Sequence, residues 1–206
     1  WYQGTADAVY QNIYSIIREN PKYVVVLAGD HVYKMDYQKM LRFHQDMAAE
    51  VTLAAIEVPI DDGKRFGVVA VDEQDKVTGF MEKPQNPPSM PGQPGLALAS
   101  MGIYVFDSDV LIKALEEDAA KPDSHHDFGK DIIPALIGRG RTYAYPFYDE
   151  NKKAAKYWRD IGTLDAYYEA QMDLCKVNPE FNLYDPEWPM RTYRSEEHTS
   201  ELQSQS

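Results

Sequence analysis

A carboxylate and an imidazole, Asp30 and His31, follow directly on an apolar run that stops at Gly29. The run, residues 23–28, is rich in β-branched side chains, which is typical of a strand buried on both faces of a sheet. In open α/β sheets, ligands bind beyond the carboxyl ends of the strands. We therefore predict that Asp30 holds a metal or a reacting group. The alternative is an ordinary turn residue.

A second carboxylate, Asp160, lies in the segment 157–163 and is the candidate partner of Asp30. Mg²⁺ prefers one or two carboxylates together with substrate phosphates and water, so two aspartates brought together by the fold would suffice. The sequence does not show that they meet. Taken alone, Asp160 also fits a loop or cap residue before a helix that begins near Thr163.

A lysine and two small residues are candidates for contact with a phosphorylated ligand. Lys83, in the segment 82–84, carries a compact charge suited to a phosphate, although a solvated strand end is the alternative. Gly67 interrupts a strand-like run, which weakens a strand unless a ligand or another backbone approaches closely. Ser100 likewise opens a strand with a small residue.

Gly4 and Thr5 stand where a helix is predicted to begin. The first N–H groups of a helix have no partner within it and favour an anion or the polar edge of a nucleotide. Many helices begin this way, so the signal is weak alone. It gains weight because the strand ending at Asp30 follows immediately.

Several other chemistries lack their sequence patterns. There is no dinucleotide-binding glycine fingerprint, no P-loop and no nucleophile elbow, so dehydrogenase, ATPase and serine hydrolase functions have no support. A zinc site is not expected either, because the histidines do not have the spacing of metal ligands; they are His31, His44, His125, His126 and His198.

The elements that must position these residues alternate at first between helix and strand. Apolar spacing predicts helices at 5–18 and 37–47 and strands at 23–30 and 51–58. This order predicts right-handed crossovers and a mostly parallel sheet, hence a Rossmann-like α/β fold. Thr5 and Asp36 are candidate N-caps. Further on we predict a hairpin at 66–71 and 77–81, a proline-rich loop at 84–94, strands at 100–106 and 142–147, helices at 108–117, 128–137 and 163–174, and a charged loop at 149–156.

Composition limits the class of protein. The 206 residues are 44% hydrophobic, which predicts a real core. A formal net charge of −12 argues against a nucleic-acid partner, because binding to a phosphate backbone needs a basic surface. The single cysteine, Cys175, excludes an internal disulfide and indicates a cytoplasmic protein. We find no signal peptide and no apolar run near the roughly 20 residues that span a bilayer, so no membrane association is expected.

The two ends of the chain lead to a prediction of domain boundaries. A start at Trp1 suggests a domain cut near its front edge. Residues 194–206 resemble the translation of a DNA-sequencing adapter, so we predict a non-native or disordered tail there. Residues 1–193 are predicted to be one incomplete catalytic domain.

Eight segments, in this order, resemble the nucleotidyltransferase domain of the bacterial glucose-1-phosphate adenylyltransferases (ADP-glucose pyrophosphorylases). The resemblance covers essentially residues 1–193 and is specific in combination, although Gly-Asp and Glu-Lys-Pro recur across sugar nucleotidyltransferases. The segments are residues 1–9, 27–31, 66–68, 80–84, 100–106, 126–131, 157–163 and 188–193.

The resemblance implies a reaction of glycogen biosynthesis, in which ATP and α-D-glucose 1-phosphate give ADP-glucose and pyrophosphate. It implies that Asp30 and Asp160 hold Mg²⁺ and act in catalysis with Lys83, which takes the sugar phosphate. The implied glucose 1-phosphate pocket comprises Tyr2, Gly67, Glu82, Lys83 and Ser100. The implied nucleotide contacts are Gly4 and Thr5.

The resemblance also implies allosteric control and a homotetrameric parent protein. Arg18 matches a position that contacts an inhibitory nucleotide in some members. The family has a glycine-rich triphosphate loop at its front and a C-terminal β-helix, and the chain supplies neither. We therefore expect this chain alone to be inactive. Two alternatives stay open: a uridylyl- or thymidylyltransferase acting on the same sugar phosphate, and a non-catalytic regulatory paralogue.

Overall fold

The computed structural model describes residues 1–149 and 154–184; the tail predicted at 194–206 and part of the loop predicted at 149–156 lie outside them. The helices are α1 Thr5–Tyr10, α2 Ile13–Glu19, α3 Tyr37–Asp46, α4 Ser108–Ala119, α5 Ile133–Leu136 and α6 Leu164–Leu174. The strands are β1 Tyr23–Val26, β2 His31–Tyr33, β3 Val51–Pro59, β4 Gly67–Val71, β5 Val77–Glu82, β6 Leu96–Asp107, β7 Thr142–Pro146, β8 Tyr148–Asp149, β9 Ala154–Ala155 and β10 Trp158–Asp160.

The chain divides into two compact units. The first contains Trp1–Gly29 and Lys34–Lys156, with the large sheet and helices α1 to α5. The second contains Asp30–Tyr33 and the chain from Tyr157 onward, with β2, β10 and α6. The expectation of one domain over residues 1–193 stays a prediction.

The long strand β6 organises the sheet of the first unit. Its 12 residues pair with β3 along one edge, and its other edge is shared between β4 and β1. The pairing of β3 with β6 shifts register between Leu53 and Ala55, opposite the stretch that holds Gly102 with its φ of +65°. The strand thus bends where a residue without a side chain can take the left-handed conformation.

The α/β class is confirmed, but the expectation of a mostly parallel sheet is wrong for the described residues. Of the pairings in this sheet, only β3 with β7 is parallel. Strands β1 and β3 do run in the same direction, as a helix–strand–helix–strand order requires. They are not neighbours, because β6 lies antiparallel between them.

Two expectations about the first elements also need correction. The helix predicted over residues 5–18 breaks after Tyr10 into α1 and α2, and its N-cap is Gly4, not Thr5. Strand β1 is not buried on both faces, since Val25 is 40% exposed, and Leu27, the first residue after the strand, is 47% exposed. In the described residues β1 pairs with β6 alone, and only its alternate side chains, including Val24 and Val26, pack on the core.

Most of the other predicted elements are confirmed, with ends that local chemistry explains. Asp36 Oδ1 accepts the N–H of Gln38 at 3.0 Å and caps α3, and Thr163 Oγ1 accepts that of Ala166 at 3.2 Å and caps α6. The helix predicted at 128–137 is one turn of π-helix, Phe128–Ile132, followed by α5. Within the described ranges, no helix has the length and apolar character needed to cross a bilayer.

The core of the first unit lies between the sheet and helices α1 and α4. Leu53, Phe106 and Leu111 are fully buried there. The rings of Tyr104 and Phe128 stack with centroids 5.7 Å apart, which ties β6 to the π-helical turn. Tyr104 lies on the same strand as the candidate site residue Ser100, so this contact holds that strand beside the π-helical turn.

Candidate functional site

Asp30 and Asp160 are brought together within the second unit. Strands β2 and β10 pair antiparallel with Asp160 opposite His31, and the N–H of Ile161 donates to the carbonyl of Asp30 at 3.0 Å. The sequence left open whether the two aspartates meet, and this short ladder places them at its end.

The position of Gly162 shows that both carboxylates face the same point. A methyl group on Gly162 would lie 3.0 Å from Asp160 Oδ1 and 3.7 Å from Asp30 Oδ2. Asp160 Oδ1 also accepts the Gly162 N–H at 2.8 Å, which fixes its orientation. The Asp30 side chain is exposed.

These two carboxylates fit the requirements of Mg²⁺, which takes hard oxygen ligands and keeps coordination positions for water and substrate phosphates. Within residues 1–149 and 154–184, no group of three or more His, Cys, Asp or Glu side chains is placed to hold a metal ion by itself. The pair therefore suits an ion that substrate oxygens help to coordinate. The assignment of Asp30 and Asp160 as metal ligands stays a prediction.

In the first unit, the hairpin of β4 and β5 brings Gly67 and Glu82 directly opposite each other. A methyl group on Gly67 would lie 2.5 Å from the Phe80 ring and 3.1 Å from Glu82 Oε2. The space beside Gly67 is thus already filled by the aromatic ring and the carboxylate. This close approach is the physical reason for a glycine within the strand.

A second carboxylate, that of Asp127, lies beside Glu82. A methyl group on Gly129 would be 3.3 Å from Glu82 Oε2 and 3.4 Å from Asp127 Oδ1. Asp127 Oδ1 accepts the N–H groups of Gly129 and Lys130 at 2.9 and 3.1 Å, which caps the π-helical turn. The two carboxylates thus converge on one glycine and offer several acceptors for hydroxyl groups.

Tyr104 joins this group from strand β6 and is only 6% exposed. Burial, with smaller contributions from the charges of Asp127 and Glu82, raises the pKa of Tyr104 to about 12, against a hydrogen bond with Ser100 that lowers it. Its hydroxyl is protonated at neutral pH, as that of an ordinary tyrosine also is. Ser100 lies on the same strand and is buried to a similar degree.

Sequence reasoning did not single out Asp127 or Tyr104. Asp127 lies in one of the segments that support the resemblance. An Asp at that point also indicates an ordinary N-cap, and Asp127 does cap the π-helical turn. Tyr104 lies four residues after Ser100 on the same strand, and this even spacing would place the two side chains on one face of a regular strand. The bulge near Gly102 makes strand alternation an unreliable guide there.

Lys83 follows Glu82 in a strained backbone conformation. Its φ is +46°, although a residue that precedes a proline favours extended backbone. Its N–H donates to the Phe66 carbonyl at 3.0 Å, and its Nζ lies 4.0 Å from Glu82 Oε1. The side chain is exposed, so the charge is available to a ligand. The structure thus gathers Gly67, Glu82 and Lys83 at one hairpin.

Gly4 and Thr5 are held by a different contact from the one expected. The N–H groups of Ala6 and Asp7 donate to the His126 carbonyl at 2.8 and 3.3 Å, so the expectation that the start of α1 offers free donors is wrong for these two. The Thr5 hydroxyl donates to Asp127 Oδ2 at 3.0 Å. Thr5 is thereby linked to the carboxylate group, and a nucleotide contact for Gly4 and Thr5 stays a prediction.

Tyr2 and Arg18 lie at the surface. The Tyr2 hydroxyl is 3.5 Å from Asn12 Nδ2, and the Arg18 guanidinium pairs with Glu19 at 2.8 Å. Neither geometry decides a role in ligand binding, so a pocket role for Tyr2 and an effector role for Arg18 stay predictions.

Comparison with known proteins adds independent information. A family described as nucleotidyl transferase matches residues 2–177. The glucose-1-phosphate adenylyltransferase of Rhodopirellula baltica is 55% identical over 194 residues, which are 94% of this chain and 44% of that protein. Enzymes of the same name from Dechloromonas aromatica and Koribacter versatilis are 53% and 55% identical, with 95% and 94% of this chain and 45% and 47% of theirs covered.

The chain therefore spans somewhat less than half the length of these relatives. The resemblance inferred from its motifs is confirmed, and the family match extends over both the hairpin with Lys83 and the aspartate pair. On this evidence of sequence, fold and site residues, the chain belongs to the nucleotidyl transferase family.

Proposed function

We propose that the protein to which this chain belongs transfers the adenylyl group of ATP to α-D-glucose 1-phosphate, giving ADP-glucose and pyrophosphate. The observation that carries the proposal is 53–55% identity, over nearly the whole chain, to three enzymes named glucose-1-phosphate adenylyltransferase. The geometry of each unit agrees with the demands of this reaction.

The group around Glu82 suits a sugar phosphate. Glu82 and Asp127 supply acceptors for sugar hydroxyls, and the buried Tyr104 lies near both carboxylates. Lys83 places a positive charge 4.0 Å from the Glu82 carboxylate, and its exposed ammonium group can also contact a bound phosphate.

In the proposed reaction, an oxygen of the sugar phosphate attacks the α-phosphorus of ATP in line. The new P–O bond forms as the bond to the β-phosphate oxygen breaks, and pyrophosphate takes the bonding pair. No covalent enzyme intermediate is needed, so the protein contributes positioning and charge stabilisation. Lys83 holds the attacking phosphate. Asp30 and Asp160 would hold Mg²⁺, which neutralises charge on phosphate oxygens when bound.

We also propose a cytoplasmic, homotetrameric parent protein. The single cysteine supports a reducing compartment, and the net charge of −12 gives no support to a nucleic-acid partner. Light scattering on the whole protein tests the tetramer directly.

A titration of glucose 1-phosphate into the chain tests the sugar-phosphate assignment. We expect saturable binding that weakens about tenfold or more in Lys83→Ala, because a charge-assisted contact to the phosphate is lost. The matched control is Lys64→Ala, which removes another exposed lysine of the same unit, paired with Asp61 at 2.9 Å. A folded chain that does not bind, or equal losses in both variants, would contradict the assignment.

A nucleotide panel with the whole protein tests the reaction itself. We expect product from ATP and far less from UTP or dTTP. Preference for either of those nucleotides would favour the uridylyl or thymidylyl alternative, and no turnover with any of them would favour the regulatory paralogue.

A further inference from the structure

A buried polar network lies next to the Glu82–Asp127 group without belonging to it. Asp118, in the last turn of α4, is only 3% exposed. A carboxylate is unfavourable both when buried and when placed near the C-terminus of a helix. Its presence there requires strong compensating contacts.

Both oxygens of Asp118 have such contacts. Oδ1 accepts the Ser124 hydroxyl at 2.7 Å, and Oδ2 lies 2.8 Å from His126 Nδ1. The Ser124 Oγ also accepts the backbone N–H of His126 at 2.9 Å. His126 is held at a φ of +52°, a conformation that a non-glycine residue adopts only when its surroundings enforce it.

This conformation directs the His126 carbonyl at helix α1. The carbonyl oxygen accepts the N–H groups of Ala6 and Asp7, and a methyl group on Gly4 would overlap the carbonyl oxygens of both His125 and His126. The loop is therefore pressed against the start of the helix.

The next residue along is Asp127, whose carboxylate lies close to Gly129, as that of Glu82 does. Its Oδ2 accepts the Thr5 hydroxyl at 3.0 Å, and Thr5 Oγ1 in turn accepts the N–H of Phe128 at 3.0 Å. A displacement of His126 would thus move Asp127 together with its partner Thr5.

We propose that Asp118, acting through His126, is a positioning residue that sets the place of Asp127 in the sugar-phosphate site. This inference rests on the proposed function for the identity of the ligand. The positioning itself does not depend on a ligand, so the two can fail separately.

The first experiment measures amide hydrogen exchange in the chain without ligand. In Asp118→Asn we expect the amides of Ala6, Asp7 and Gly129 to exchange about tenfold faster, with Leu53 in the core unchanged. The matched control is Asp107→Asn at the other end of α4, where the carboxylate lies 3.4 Å from the buried His44. It should leave the three amides at the wild-type rate.

The second experiment measures glucose 1-phosphate binding. Asp118→Asn and His126→Ala should each weaken binding about tenfold, because small displacements of a binding group have large effects. His126→Asn should stay within about twofold of wild type, since an amide nitrogen can replace Nδ1 as donor and asparagine tolerates positive φ. The double variant Asp118→Asn/His126→Ala should bind no more weakly than either single variant, as expected of coupled residues.

The outcomes separate the two hypotheses. Unchanged exchange at Ala6 and Asp7 in Asp118→Asn would overturn the positioning role, whatever the ligand. Weakened binding in His126→Asn equal to that in His126→Ala would overturn the route through the donor to Asp118. If exchange responds as expected but the wild-type chain does not bind glucose 1-phosphate, the sugar-phosphate assignment fails while the positioning role stands.

Discussion

At the scale of single residues, the candidate site depends on positions where a side chain is missing. Glu82 approaches Gly67 and Gly129 closely enough that a methyl group at either would contact its carboxylate. Because neither glycine has a side chain, the Glu82 carboxylate and the Phe80 ring can occupy the space that a larger residue would fill. The position of the Glu82 carboxylate therefore depends on its close packing against these two glycines.

Gly67→Ala tests this dependence. The added methyl group would lie 2.5 Å from the Phe80 ring, so we expect about 1–3 kcal/mol lower free energy of unfolding and weaker glucose 1-phosphate binding. Gly79→Ala is the matched control in the same hairpin, because its nearest neighbour would be the Ala70 Cβ at 3.6 Å. Thermal unfolding and titration of both variants measure the difference. Equal behaviour of the two would show that Phe80 and Glu82 can move away without loss.

A pH dependence follows from His44, which lies on the buried face of helix α3. Burial lowers the pKa of His44, and the nearby Asp107 raises it by less. The unfolded chain therefore binds more protons than the folded chain below about pH 6.5, so the free energy of unfolding falls as the pH falls through that value. His44→Asn should flatten this slope, as measured by denaturant unfolding between about pH 7.5 and 5.5. His125→Asn, which removes an exposed histidine, should keep it.

At the scale of elements, local patterns in the sequence account for helices and caps but not for strand neighbours. The apolar spacing of α3, the Asp36 cap and the Thr163 cap are local and were predictable. The insertion of β6 between β1 and β3 depends on pairings between distant segments, which periodicity does not encode. The same limit explains Asp127, since its cap role is visible locally and its approach to Glu82 is not.

Helix α1 provides a test at this scale. In Gly4→Ala the added methyl group would overlap two backbone carbonyl oxygens, and backbone cannot give way as a flexible side chain does. We expect α1 to separate from the loop at His126, with faster amide exchange at Ala6 and Asp7. Gly95→Ala, where nothing lies within 4 Å of the added methyl group, is the control. Unchanged exchange in Gly4→Ala would contradict the tight contact described here.

At the scale of the whole molecule, the candidate residues for sugar-phosphate binding and those for metal binding lie in different units. The residues proposed to bind the sugar phosphate belong to the unit with the large sheet, and the aspartate pair belongs to the unit formed by β2, β10 and α6. Binding of the sugar phosphate and coordination of the metal can therefore be measured as separate properties. The proposed reaction would require both, together with binding of the triphosphate.

This separation leads to a prediction for the chain as it stands. It covers 44–47% of the length of three relatives. We expect the chain to bind glucose 1-phosphate but to form no ADP-glucose from ATP, since binding of one substrate needs only part of the site. Chromatographic detection of ADP-glucose, with the whole protein as positive control and its Asp160→Asn variant as the inactive reference, measures this. Turnover by the chain alone would show that its own residues suffice to bind the triphosphate.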